Sequence, residues 1–180
     1  MPTFIAGLPL HVLVIHAVVV LVPLAVLTSI VVALWPAARR HYGWPTVGIT
    51  ALATAVIPIA TSSGGDLRAR LPRNPLINQH AELGDQLLIF VAPLLVAVAA
   101  LMLVEHYRDR TARTEGPGAM VTAPTTVRWA RPVAMTLAAL TVVLAIVSAV
   151  QVVRIGDSGA RAAWSQTHYV PPHRHSEGNG

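Results

Sequence analysis

"HVLVIHAVVVLVPLAVLTSIVVAL", residues 11–34, decides the fold. Its 24 residues carry no Asp, Glu, Lys or Arg. At about 1.5 Å per residue they make about 36 Å of helix, enough to cross the hydrocarbon layer with some tilt. Pro23 falls mid-segment, which a lipid-embedded helix tolerates when neighbours satisfy the freed carbonyl. Two histidines interrupt the apolar pattern, His11 at the lip and His16 deeper. An ionisable residue in a span marks a functional site, and His16 is expected to face the bundle interior or water. The two are five residues apart, so on a regular helix they differ by roughly 140° in azimuth and about 7.5 Å in height. They cannot hold one small ion together.

Working outward, three further apolar stretches follow. Span two is expected at about 44–60, rich in small residues that permit close helix packing. Span three belongs to a longer helix. Asn74 and Pro75 form an N-cap and first-turn pair, so the helix is expected from Pro75 to about Val104, its apolar part over 85–104. Span four is expected at about 133–153. Residues 105–132, charged at both ends and Gly/Pro/Thr-rich between, read as a flexible loop. Residues 165–180 read as a disordered tail. The expectation is therefore an all-α, polytopic, four-transmembrane-helix bundle over residues 1–164. No internal repeat is evident beyond one proline in each of the first three spans.

Composition agrees. Of 180 residues, 54% are hydrophobic and 12% charged, about half the charge of an ordinary soluble domain. Mean hydropathy is +0.59. There is no cysteine, which excludes disulfides, thiolate metal sites and cysteine nucleophiles. The formal net charge is +5, but the arginines lie in short clusters beside apolar spans, as topology signals do. No basic face interleaved with aromatics speaks for nucleic acid. The start, "MPTFIAGLPL", lacks a positive region and an A-x-A-like site, so it is not read as a cleavable leader. Loops one and three carry seven arginines and the opposite face six. That margin slightly favours both termini outside, in a bacterial inner membrane.

Four antiparallel spans bring the start of span one, the exit of span two, the start of span three and the exit of span four to one face. That face collects His11, Asp66, His80, Glu82, Asp85 and Asp157. Imidazoles with carboxylates suit a hard or borderline metal or a proton-relay and hydrogen-bond cluster. His11, His16 and His80 are the candidate cofactor ligands; His11, His80, Asp85 and Asp157 are the candidate metal set. His80 and Gly84 share a helix face, leaving room near the backbone. His41 and His106 lie at the other face beside arginines and read as solvated. The tail pair His173 and His175 reads as incidental. "SSGGDL" lacks the G-K-[ST] of a P-loop, and no H-E-x-x-H occurs.

"LPLHVLVIHAVVVLVPLAVL", with "SSGGDL", "QHAELGDQL" and "RIGDSGARAAW", resembles an uncharacterised bacterial membrane family, domain of unknown function 2231, over roughly residues 7–164. Its members open on a "lPlHpllVHfPiaL" pattern, whose two histidines fall on His11 and His16. Val12 departs from the proline after the first histidine. Asp157 stands where many relatives have histidine. The family has no agreed activity, but some relatives are joined to redox modules, and their histidine-bearing bundles are similar to b-type cytochromes. The resemblance implies a haem- or metal-associated redox subunit, with haem b or a transition metal as cofactor and a redox protein as partner. The alternative is a non-enzymatic membrane partner or small permease whose polar cluster is structural or proton-conducting.

Overall fold

A computed structural model describes residues 4–5, 8–70, 72, 74–114 and 129–165. Residues 166–180 of the expected tail, and the loop residues 115–128, lie outside this set. Among the described residues a short antiparallel bridge, β1 (Phe4–Ile5) with β2 (Leu8–Pro9), precedes five helices: α1 (Leu10–Leu34), α2 (Pro36–Arg68), α3 (Pro75–Asp85), α4 (Leu87–Thr114) and α5 (Ala130–Trp164). The protein is all-α, and four helical segments are long and apolar enough to cross a membrane.

The helix ends follow local chemistry. α2 starts at Pro36, whose missing N–H is one of the groups a first turn leaves unpaired anyway. α2 extends well beyond the apolar part expected for span two, from Pro36 to Arg68. Asn74 caps α3, its side-chain oxygen accepting from Leu76 N at 2.9 Å. The single helix expected from Pro75 is broken at Gln86, where the chain turns and Ile89 N donates back to Gln86 O. Beyond Val104 the helix does not give way to loop; α4 continues to Thr114. Glu105 holds it there, accepting from Arg39 at 2.7 Å and from Arg108 at 3.0 Å.

α1 runs antiparallel to α2, and α4 to α5; across the molecule α1 lies against α5 and α2 against α4. Val22, Ala25, Ala53, Val91, Leu94 and Ala145 are fully buried where the four meet. Three buried hydroxyls bond to the preceding turn of their own helices, Thr46 to Tyr42 O, Thr50 to Thr46 O and Ser148 to Leu144 O. Val20, Leu27, Ile89, Val96, Met135 and Val153 point outward. A bundle with a small-residue core and an apolar exterior is built for lipid on all sides.

The structure also reveals a repeat that the sequence reading does not find. Shifting the first half by 69 residues places His11 on His80. The same shift superposes the buried positions Val22/Val91, Ala25/Leu94, Ser29/Val98 and Val32/Leu101. A shift of 95 residues pairs Thr46/Thr141, Thr50/Ala145 and Ala53/Ser148, again buried in both members. α1–α2 and α3–α5 thus repeat one hairpin's burial pattern, and the packing of α1 on α5 and of α2 on α4 is what a pseudo-two-fold axis along the bundle would give. Few side chains are identical between the copies. What recurs is burial.

Candidate functional site

The repeat places two histidines at equivalent points of one membrane face. His11, in the first turn of α1, sets its Nδ1 3.1 Å from the carbonyl of Ala60 in α2, with Ser63 Oγ at 3.4 Å. His80 in α3 sets its Nδ1 3.1 Å from the carbonyl of Ile155 in α5, with Ser158 Oγ also at 3.1 Å. Each serine donates to that same carbonyl, at 3.0 Å for Ser63 and 2.8 Å for Ser158. A carbonyl only accepts, so in both rings Nδ1 carries the hydrogen. The lone pair of each neutral imidazole is therefore on Nε2.

Glycines let the rings come this close. A β-carbon on Gly64 would lie 3.0 Å from Cε1 of His11, and one on Gly159 would lie 3.0 Å from Cε1 of His80. The repeated unit is a histidine on one helix facing a serine–glycine step on the next. Neither Ser63–Gly64 nor Ser158–Gly159 was singled out as functional from the sequence, although both dipeptides lie inside the family-like stretches. The signal available was the Ser–Gly step itself, repeated 95 residues apart.

His11 and His80 line a common half-open cavity of about 280 Å³. Ile15, Ile57 and Leu87 give it apolar walls, and a β-carbon on Gly84 would meet nothing within 4 Å. Asp85 and Arg68 stand at its edge. The structure thus brings together His11, His80 and Asp85 of the expected cluster, and adds Arg68.

The other candidates lie elsewhere. His16 was expected to face the bundle interior or water; it does not face the interior but is exposed on the outer surface of α1, with Nδ1 turned to Val12 O of its own helix. The 140° between the two histidines is the reason, since turning His11 toward α2 turns His16 away. Asp157 is exposed and paired with Arg161. Asp66 and Glu82 are exposed and not among the cavity's lining residues. Among the described residues no three His, Asp or Glu side chains gather closely enough to hold a metal ion. His41 and His106, read as solvated, are exposed, and His106 meets Trp44 edge-on at 6.3 Å.

No curated protein and no solved structure matches the chain. One family does, over residues 7–172, a span that includes both histidine ties and all four membrane-crossing segments. The chain is an integral membrane protein and belongs to the predicted membrane protein family known as domain of unknown function 2231.

Proposed function

We propose that this protein is a haem-associated membrane redox subunit in which the imidazoles of His11 and His80 would hold the cofactor. One observation carries the reading: two pseudo-symmetric histidines, each with Nδ1–H tied to a backbone carbonyl, share one cavity. A carbonyl on Nδ1–H fixes the tautomer and the ring direction and makes Nε2 a better donor to a metal, as the outer shell of metal-bound histidine does.

Two imidazoles are too few for a protein-built zinc site, which takes at least three protein ligands. They suit a centre that brings its own equatorial ligands and needs two more, as haem iron does. The residues fit such a group. The walls are apolar, Gly84 leaves open space, and Arg68 at the edge suits an acidic substituent. The cavity is open on one side, so its about 280 Å³ need enclose only part of a porphyrin. Bound there, haem would supply one-electron chemistry. The chain's own part is to hold the two Nε2 atoms, keep water from the apolar wall and place Asp85 and Arg68 at the rim. A redox partner protein would meet this face. The arginine excess of loops one and three supports both termini, and so the histidine face, outside a bacterial inner membrane.

Absorption spectra of the protein purified from haem-supplied cells test the reading. A low-spin bis-imidazole spectrum and stoichiometric haem are expected, lost in either His11→Ala or His80→Ala and kept in His16→Ala. No Soret band in the folded wild type would overturn it.

A further inference from the structure

The opposite end of the pseudo-two-fold axis has a second, larger cavity of about 900 Å³ with a different chemistry. Arg39, Arg40, Arg108 and Arg131 line it together with two acids, Glu105 and Asp109. Glu105 is already shared between Arg39 and Arg108. Arg40 and Arg131 have no ion pair among the described residues. Among the described residues the Nε–H of Arg108 is buried without a hydrogen-bond partner, a donor whose desolvation nothing among them offsets. The remaining wall is apolar, formed by Met135, Ala138, Ala139 and Val142 of α5 with Leu34 of α1.

The depth of this cavity is marked by aromatic side chains. Trp35, Tyr42, Trp44, Tyr107 and Trp129 are all exposed around the same end, and Trp44 lines the cavity itself. Such a girdle sits at the headgroup level of a bilayer. Basic side chains at that level, set beside an apolar wall that leads into the hydrocarbon, match one molecule end to end. The head is a phosphate and the tails are acyl chains.

We infer that the cavity between α2, α4 and α5 binds an anionic phospholipid, its phosphate held by Arg40, Arg108 and Arg131 and its acyl chains along Met135, Ala138 and Val142. Arg39 is not part of the grip, because its guanidinium is committed to Val32 O, Ala33 O and Glu105. The site is independent of the histidine cavity and of any cofactor there.

The test uses the full chain, delipidated in a neutral detergent, with native mass spectrometry and thermal unfolding as readouts. Phosphatidylglycerol is expected to remain as a one-to-one adduct and to raise the melting temperature. Phosphatidylcholine and inorganic phosphate at equal concentration should do neither. In Arg40→Gln/Arg131→Gln, retention of phosphatidylglycerol should fall by roughly tenfold or more, while Arg154→Gln at the other face should retain it. Arg40 and Arg131 are exposed, and Arg131→Gln alone gives a milder variant if the double one unfolds. Equal retention of phosphatidylcholine would reduce the cavity to an apolar groove. Stabilisation by inorganic phosphate alone would make it a soluble-anion site. Undiminished retention in the arginine variants would remove the residue assignment. Any of the three overturns the inference.

Discussion

The two hairpins make the same histidine tie, but they close their helix ends differently. In the first, α1 stops at Leu34 and a single residue, Trp35, separates it from α2. The last carbonyls of α1 then have no partner within their own helix. Arg39 supplies one, donating to Val32 O at 2.7 Å and to Ala33 O at 2.6 Å. In the second hairpin α4 runs on to Thr114, so the equivalent carbonyls stay inside a helix, and the position matching Arg39 is Ala134. The difference is reversed lower down. α1 is unbroken there, and the position matching Gln151 is Val56. The second hairpin breaks at Gln86, and the buried Gln151 amide donates to Leu83 O at 3.0 Å. Each copy places a buried polar side chain where its own backbone leaves a carbonyl unpaired. In lipid no water is present to do that.

Five substitutions probe the comparison. Arg39→Ala should have the largest effect, about 3 kcal/mol, because it strips two carbonyls and leaves Glu105 with Arg108 alone. Thermal unfolding in detergent reads it, and a loss below roughly 1 kcal/mol would mean that the α1 end is satisfied some other way. Gln151→Leu keeps the volume and removes the donor, so about 1–2 kcal/mol is expected. Val56→Gln in the first hairpin should bring no gain, since α1 has no break to repair. If Gln151→Leu were neutral, Leu83 O would not need its partner. The smallest effect compares the two ties. Ser158→Ala should destabilise by up to about 1 kcal/mol and Ser63→Ala by less, because Ser158 stands 3.1 Å from its ring nitrogen and Ser63 3.4 Å. Equal losses would indicate that both serines act only through their own helices.

Much of this was legible in the residues. Uninterrupted apolar length gave four spans, Asn74–Pro75 marked the start of α3, and span direction brought His11, His80 and Asp85 to one face. The repeat was not legible, because the copies share burial rather than identity: Ser29 answers to Val98 and Ala25 to Leu94. Neither was the break at Gln86, which has neither proline nor glycine at the turn itself. The donor that satisfies it lies across the bundle in Gln151, 65 residues on. The depth of His16 in its span indicates only that it faces the interior or water. Depth says how costly a polar side chain is, while azimuth says where it points, and azimuth depends on which side of α1 meets α2. The Arg39–Glu105–Arg108 group was hidden for the opposite reason. Its members read as topology signals and loop charges until α4 carried Glu105 beside α2.

The one-residue joint at Trp35 has a consequence for biogenesis. Closure entropy rises with the logarithm of the chain to be closed, and between α1 and α2 there is almost none to close. Residues 115–129 separate α4 from α5. Synthesis proceeds from the N-terminus, so Ala60 can take the His11 hydrogen bond before α5 has been translated. The first hairpin is then a finished surface on which its copy assembles.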